Sequence, residues 1–440
     1  MKTKPVAAIL LILCFSVFLP INVQGEAQSS TDWWPNFHHD LQHTGATTSV
    51  APRTNQTKWF YTTTGKVDSS PAVSNGVVYF GSYDFNLYAM DASKGNFGWN
   101  YSTGAPIYSS PAVANGLVFV GNLEGELYAI DAITGALAWK YPTQNSIFSS
   151  PIVNNGVVYV GSLDHTVYAL VATSGSFDWK FTANDGIVSS PAISGNLLYV
   201  GSLDGNVYAL DSITGNLEWN FTIPNPSGGA QQAIEASPTV GDGKVFVSSE
   251  VLGTVGNETQ YNGAVWALDA LTGEKIWNYS TADRIYSSAA YSNGIVYIGL
   301  FDGNVVALRG SNGEVVWKYQ TYGIVSSSPA VAEGVVYVGS NDGNIFALDA
   351  VTGGLIWFFQ TGSVVESSPA VAEGIVYVGS RNWNIYAFSE ATSHDGISST
   401  TLYAIIIGVT VSVLIVLIGV YFVVKKRKLR RNQINRVRSR

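Results

Sequence analysis

The sequence has 440 residues, of which 46% are hydrophobic and only 12% are charged. This composition excludes an intrinsically disordered chain, because disorder requires low hydrophobicity and high charge. The net charge of −8 hides a strong segregation, since residues 26–400 hold 12 of the 23 Lys and Arg residues and all 31 Asp and Glu residues and so carry −19. Such an acidic segment argues against nucleic acid as a partner.

The N-terminal segment has the pattern of a secretory signal peptide. Lys2 and Lys4 precede an apolar run from Val6 to Leu19, and small residues up to Gly25 then offer a cleavage site. We therefore predict that residues 1–25 are a signal peptide. The only cysteine, Cys14, falls inside it, so the exported chain is predicted to have neither disulfides nor cysteine-bound metals.

The lead-in segment, residues 26–54, contains the one histidine cluster of the chain. His38, His39 and His43 lie close to Asp40 in the sequence, which is compatible with a transition-metal site. No helix is indicated here that would bring two of the histidines onto one face. We therefore favour a segment that packs against the rest of the protein, and we predict no metal site.

An internal repeat begins after the lead-in and continues almost to the end of the acidic segment. Each unit has four short runs of alternating hydrophobicity, separated by turns such as Asn115-Gly116 and Thr134-Gly135. Four short strands in a unit of this length are typical of a β-propeller blade. The repeat is anchored by tryptophans at Trp59, Trp99, Trp139, Trp179, Trp219, Trp277, Trp317 and Trp357.

The order of the strands indicates how the ring closes. The first tryptophan strand, around Trp59, precedes the first complete unit, whereas the last unit ends at Phe388 with no tryptophan strand after it. The Trp59 segment should therefore supply the outer strand of the final blade. We predict an all-β, eight-bladed propeller over residues 55–390, with four-stranded blades and the last blade closed by the N-terminal strand.

Two stretches of the sequence resemble a known family. The unit Tyr208-Ala-Leu-Asp-Ser-Ile-Thr-Gly-Asn-Leu-Glu-Trp219 resembles the pyrroloquinoline-quinone (PQQ) repeat with its tryptophan-docking motif, and Trp34-Pro-Asn-Phe-His-His-Asp-Leu-Gln-His-Thr-Gly45 resembles the lead-in of PQQ-repeat surface proteins. The resemblance implies that each repeated tryptophan is wedged between blades. It leaves the chemistry open, because the family contains both quinoprotein dehydrogenases and non-catalytic assembly and scaffold propellers.

The fifth unit departs from the repeat, because the interval from Trp219 to Trp277 is longer than every other interval between repeated tryptophans. The surplus falls in two places, Pro224 to Glu235 and Glu250 to Asn262. In an up-and-down blade both should rise side by side from one rim. We predict an interaction loop there with Glu250, Asn257 and Tyr261, since loops on a rigid scaffold often carry binding, although a neutral insertion is the alternative.

A second departure lies three residues before each repeated proline, where the chain enters the innermost strand. We expect this position to surround the mouth of the central channel, and it varies among acidic, aromatic and aliphatic residues while its neighbours stay constant. Acids and aromatics together suit a cationic or sugar-like ligand, and the alternative is a solvated rim. The candidate ligand-binding residues are Asp68, Tyr108, Phe148, Glu235, Tyr286 and Glu366.

The C-terminal part predicts a membrane anchor. Residues 402–424 are uncharged, and a helix of this length spans about 35 Å, enough for a bilayer. More than half of the positions from 425 to 440 are Lys or Arg, which predicts a cytoplasmic tail. Residues 391–401 then form a stalk, and the propeller of a single-pass cell-membrane protein lies outside the cell.

Function is predicted from these features together. The best interpretation is a non-enzymatic surface binding or scaffold protein, monomeric and without a cofactor, whose partners are envelope or surface proteins or glycans. It carries glycosylation sequons, of which Asn257 is the most plausible acceptor. The alternative is a PQQ-dependent dehydrogenase with PQQ and calcium at the channel mouth. The resemblance implies an adjacent cysteine pair for that activity, and residues 26–440 contain no cysteine.

Overall fold

The computed structural model describes residues 33–224, 231–255 and 258–391, which form strands and turns with no helix among them. Two strands precede the first complete blade, β1 (Ala46–Thr47) and β2 (Gln56–Thr62). The remaining strands form eight blades in chain order.

Blade one contains β3 (Ala72–Ser74), β4 (Val77–Gly81), β5 (Asn86–Asp91) and β6 (Phe97–Ser102). Blade two contains β7 (Ala112–Ala114), β8 (Leu117–Gly121), β9 (Glu126–Asp131) and β10 (Leu137–Pro142). Blade three contains β11 (Ile152–Asn154), β12 (Val157–Gly161), β13 (Thr166–Val171) and β14 (Phe177–Thr182). Blade four contains β15 (Ala192–Ser194), β16 (Leu197–Gly201), β17 (Asn206–Asp211) and β18 (Leu217–Thr222).

Blade five contains β19 (Gln231–Ala233), β20 (Thr239–Gly241), β21 (Lys244–Val255), β22 (Glu258–Asp269) and β23 (Lys275–Thr281). Blade six contains β24 (Ala290–Ser292), β25 (Ile295–Gly299), β26 (Asn304–Arg309) and β27 (Val315–Gln320). Blade seven contains β28 (Ala330–Ala332), β29 (Val335–Gly339), β30 (Asn344–Asp349) and β31 (Leu355–Gln360). Blade eight contains β32 (Ala370–Ala372), β33 (Ile375–Gly379) and β34 (Asn384–Ser389), and it is completed by β2.

The ring closes as the sequence predicts. Strand β2 pairs antiparallel with β34, with Trp59 opposite Ala387. The eight-bladed all-β fold is therefore confirmed. None of the described residues forms a helix long and apolar enough to cross a bilayer. The predicted signal peptide and the predicted span at 402–424 lie outside the described residues.

The repeated tryptophans join neighbouring blades. Each indole Nε1 donates a hydrogen bond of 2.9–3.2 Å to a backbone carbonyl outside its own blade, as from Trp59 to Ala92 of blade one. For the first seven tryptophans, a glycine in a turn of the next blade packs on the ring. At Gly135, where φ is +70°, a Cβ atom would lie 2.7 Å from Cδ2 of Trp99, so only glycine fits.

A ring of serines also joins the blades, which the sequence did not reveal. The backbone N–H of one serine in each blade donates to the hydroxyl of its counterpart in the next blade, at 2.9–3.0 Å, and the bond from Ser368 to Ser70 closes the circle. We call these residues the serine ring: Ser70, Ser110, Ser150, Ser190, Ser237, Ser288, Ser328 and Ser368.

The lead-in crosses one end of the central channel, which confirms that it packs against the propeller. Its backbone carbonyls accept the amides of innermost strands, as at Leu41 from Ile193 (2.6 Å) and at Thr44 from Tyr291 (2.7 Å). Strand β1 adds a parallel pair with β28. Because further bonds of this kind reach blades one, two, five and seven, the lead-in satisfies strand edges that would otherwise face an open channel.

Candidate functional site

The channel end opposite the lead-in opens as a cavity of about 470 Å³. Its upper wall is formed by the eight residues that enter the innermost strands, and its lower wall is the serine ring. Phe37 of the lead-in lines it from below, and Arg381 lines one side. The structure thus places all six candidate ligand-binding residues around one cavity: Asp68, Tyr108, Phe148, Glu235, Tyr286 and Glu366.

One side of the mouth is apolar. Tyr108 and Phe148 meet edge to face with ring centroids 5.4 Å apart, and Val188 continues this surface into blade four. Burial raises the pKa of Tyr108 far above its ordinary value, so its hydroxyl stays protonated. These side chains offer a continuous surface of aromatic and aliphatic carbon within a polar rim.

The opposite side holds an ion-pair network. The Arg381 guanidinium donates from Nε to Asp68 (3.0 Å) and from a terminal nitrogen to Glu366 (2.5 Å), and Lys66 lies 3.5 Å from the second Asp68 oxygen. Limited hydration raises the pKa of Glu366, and the nearby Asp68 raises it further. Two of the three predicted acids are therefore already paired with cations, which weakens the expectation of a cationic ligand.

Arg381 was missed in the sequence, although a signal for it exists. It occupies the turn between the second and third strands of blade eight, where blades three and four have Leu163 and Leu203. The other regular blades have Tyr83, Leu123, Phe301 and Asn341 there, so Arg381 is the one charged residue at this position among them.

A second charged group lies at blades five and six. Arg284 is 3.8 Å from a Glu250 oxygen and donates to the Tyr286 hydroxyl at 2.5 Å. Restricted hydration inside the mouth, together with the Glu250 carboxylate, raises the pKa of Glu235 to about 7, even though part of the residue is exposed. Glu235 consequently changes charge near neutral pH, and Glu250 connects the insertion to the mouth.

The described parts of the two insertions of blade five contain strands, so the expectation of a loop is wrong for these residues. Strand β19 pairs with β21, placing Ala233 opposite Glu250, and β21 pairs with β22 as far as Val255 opposite Glu258. We call β19 and the β21–β22 hairpin beyond Ser249 the rim sheet. Its β-branched residues favour strands over a loop, and the two insertions lie side by side as predicted.

The three residues predicted for the interaction loop have different placements. Glu250 lies at the base of the rim sheet beside Arg284, and Tyr261 belongs to β22, opposite Leu252. Asn257 lies outside the described residues. The described part of the insertion is therefore joined to the mouth through Glu250.

The lead-in histidines are placed as core side chains. His38 and His43 are buried on either side of Phe37, at ring distances of 4.7 and 5.5 Å. Burial lowers the pKa of His38 to about 4 and that of His43 to about 3, so both are neutral at physiological pH. Asp40 instead accepts the N–H (2.9 Å) and hydroxyl (2.5 Å) of Thr44. Within the described residues, no three His, Cys, Asp or Glu side chains gather as metal ligands.

The aspartates that recur between the second and third strands bind their own turns. The Asp84 carboxylate accepts the backbone N–H of Thr64 at 2.9 Å and the Tyr88 hydroxyl at 2.8 Å. Asp164 and Asp204 make the equivalent bonds to a preceding linker and to a tyrosine. Turn and linker geometry accounts for the repetition of these residues.

Comparison with known proteins identifies the fold and its relatives. A family model described as outer membrane protein assembly factor BamB matches residues 41–111, 103–255, 236–324 and 323–396. No protein of curated function has a matching sequence.

Solved structures show the same architecture at low identity. BamB from Moraxella catarrhalis is 20% identical, with 76% of this chain and 99% of that chain covered and a TM-score of 0.64. Quinohemoprotein alcohol dehydrogenase from Comamonas testosteroni is 16% identical, with 85% and 83% covered and a TM-score of 0.68. The designed protein Ika8 is 18% identical, with 74% and 97% covered and a TM-score of 0.63. Similarities at this level establish the fold and leave the activity open.

Proposed function

The chain belongs to the PQQ-repeat family described as outer membrane protein assembly factor BamB, and we propose that it is a non-enzymatic binding or scaffold protein of the cell surface. Its partners are envelope or surface proteins or their glycans. The observation that carries the proposal is the rim sheet, which rises beside the channel mouth from a ring that is closed without it.

The rim sheet is an addition that ring closure does not need. Blade four joins its second and third strands through Leu203 and Asp204, whereas blade five places the whole segment 250–262 at the same point. Blade five keeps its docking tryptophan, with Trp277 donating to Gly310 at 3.0 Å, and it keeps Ser237 in the serine ring. A rigid scaffold that presents an extra structured edge beside a cavity suits partner binding.

PQQ fits the mouth poorly. PQQ is a planar tricarboxylate, so a site for it needs free cations, and a calcium ion beside it needs free carboxylates. Arg381 is held by Asp68 and Glu366, and Arg284 lies against Glu250 with Glu235 close by. The two arginines are thus held by carboxylates, and we derive no catalytic step through this cofactor.

The proposal includes a location. The apolar run at 402–424 and the cationic residues after it support a single-pass protein whose propeller lies outside the cell. The acidic propeller supports partners other than nucleic acid.

Site-specific photo-crosslinking of the full chain tests the proposal. A photoreactive residue at Thr259, in the rim sheet, should crosslink to defined envelope proteins or glycoproteins. The same residue at Ile213, which is 68% exposed in a turn on the opposite face, should not. Replacing residues 250–262 with the Leu-Asp of blade four should remove the crosslinks. Equal crosslinking from both positions would contradict the proposal, and so would stoichiometric retention of added PQQ with dye reduction.

A further inference from the structure

We propose that the cavity at the channel mouth binds a neutral saccharide, either a free sugar or the end of a chain, an inference that rests on the proposed binding function and names the ligand class. The cavity combines hydroxyl donors, an apolar wall and an arginine already paired with two carboxylates. A sugar ring matches this combination, because it presents hydroxyl groups around its edge and C–H groups on its faces.

The donors come from the serine ring. Each hydroxyl oxygen accepts a backbone N–H of the neighbouring blade, which fixes the position of the oxygen. A hydroxyl that accepts in this way keeps its own hydrogen to donate. Among the described residues, none accepts a hydrogen bond of normal geometry from these eight hydroxyls, so their hydrogens are available to oxygen atoms within the cavity they line.

The apolar surface is formed by Tyr108, Phe148 and Val188 on one wall and by Phe37 at the inner end. The edge-to-face contact of Tyr108 with Phe148 holds both rings in place at 5.4 Å. Fixed aromatic surfaces lose little conformational entropy when a ligand packs on them. The C–H face of a pyranose would cover this wall while its hydroxyls turn toward the serine ring.

The charges of the mouth favour a neutral ligand. A cation would have to compete with Arg381 for Asp68 and Glu366, and an anion would have to compete with those carboxylates for Arg381. Glu235, the third acid, already lies in the field of the Arg284 cation. Removing one partner from a partly buried pair leaves the other charge uncompensated, which is costly. A neutral polyhydroxylated ligand leaves the network intact. The volume of about 470 Å³ lies in the usual range for small-molecule sites.

Binding to the full chain, measured by calorimetry and by saturation-transfer NMR, tests the inference. The probes are methyl β-glucoside, N-acetylglucosamine, maltose, cellobiose and chitobiose, with tetramethylammonium and citrate as charged comparisons. We expect at least one saccharide to bind with one-to-one stoichiometry at millimolar concentrations, and neither charged probe to bind. A disaccharide that binds more tightly than its monosaccharide indicates a chain end as the natural ligand, and equal affinities indicate a free sugar; both outcomes support the inference.

Variants locate the site. Phe148→Ala should weaken saccharide binding by about tenfold or more, because it removes the centre of the apolar wall. Phe177→Ala, at an outer-strand position that is 51% exposed, is the matched control and should leave the affinity unchanged. Tyr108→Ala serves as a second wall variant if Phe148→Ala lacks a wild-type thermal transition.

Three results would overturn the inference. These are no saccharide binding at all, binding that both wall variants retain in full, and tetramethylammonium binding that is lost in Asp68→Asn. If the rim-sheet crosslinks persist while saccharides fail to bind, only the ligand class is wrong. If the crosslinks fail, the proposed function itself is at fault.

Discussion

The two ends of the central channel have opposite roles in the fold. At one end the lead-in offers its carbonyls to the amides of innermost strands and buries His38 and His43. At the other end the mouth has the Arg381 ion pairs, the neighbouring rim sheet and aromatic residues that are only partly buried. At the lead-in end, backbone amides of the innermost strands receive the hydrogen-bond acceptors that they need. At the mouth, by contrast, the lining residues differ from blade to blade. Substitutions at the lead-in end and between blades should therefore reduce stability, and substitutions at the mouth should change binding.

The largest expected effect is a loss of stability in acid, caused by the two buried histidines of the lead-in. In the unfolded chain His38 and His43 titrate near pH 6.5, but in the fold their pKa values are about 4 and about 3. The unfolded state therefore takes up protons first as the pH falls below 6.5. Stability is full above pH 6.5 and should decrease by about 1.4 kcal/mol for each pH unit and each histidine, or about 6 kcal/mol in total by pH 4.

Urea denaturation between pH 4.5 and 7.5 measures this dependence. His43→Gln should reduce the slope of the unfolding free energy against pH by about half, whatever its effect on stability at pH 7. Gln56→Ala, at an exposed residue that does not titrate, should leave the slope unchanged. An unchanged slope in His43→Gln would show that the buried lead-in histidines do not control stability in acid.

The next effect concerns the contacts between blades. Gly135→Ala places a methyl group 2.7 Å from the Trp99 ring at a φ of +70°, and it should cost about 3 kcal/mol of unfolding free energy. Gly116→Ala is the matched control, because its φ of +77° is similar while no atom lies within 4 Å of the added carbon. It should cost only about 1 kcal/mol for the backbone conformation. Similar denaturation midpoints for the two variants would mean that docking of the glycine on the tryptophan contributes little.

The rim sheet should matter much less for stability. Replacing residues 250–262 with Leu-Asp restores the length of the blade-four turn. The thermal transition should therefore remain cooperative, and the unfolding free energy should fall by only about 1 kcal/mol. Differential scanning calorimetry of this variant beside the wild type gives the answer. Loss of the cooperative transition would assign the rim sheet to the structural part of the molecule.

The same contrast explains what the sequence could and could not predict. The tryptophan spacing predicts the blades and the closure through Trp59, because one packing solution is repeated eight times. The serine ring was missed because its bonds join equivalent positions of different blades, which a pattern within one unit cannot reveal. Arg381 is far from Asp68 in the sequence, and only ring closure brings them to 3.0 Å. The rim sheet was expected to be a loop because no other unit has a counterpart to the added residues, so the repeat pattern could not indicate that β21 and β22 pair with each other and with β19.

The smallest expected effect on stability is at the mouth, where a substitution should stabilise the protein and not destabilise it. Because the pKa of Glu235 is raised to about 7, its ionised form is less favourable in the fold than in the unfolded chain. This cost is absent below about pH 4.5, grows as the pH rises to 7 and is then constant.

Glu235→Gln should therefore stabilise the protein at pH 8 and should have no effect at pH 4.5. The gain at pH 8 should be less than about 1 kcal/mol, because solvent screens a partly exposed group. Glu218→Gln, on the exposed outer strand, is the control. Chemical denaturation at both pH values would reveal the difference, and a variant that is less stable at pH 8 would mean that the fold uses the Glu235 charge. A stabilising substitution would instead indicate that the mouth keeps this carboxylate at a cost to the fold, as a binding surface does.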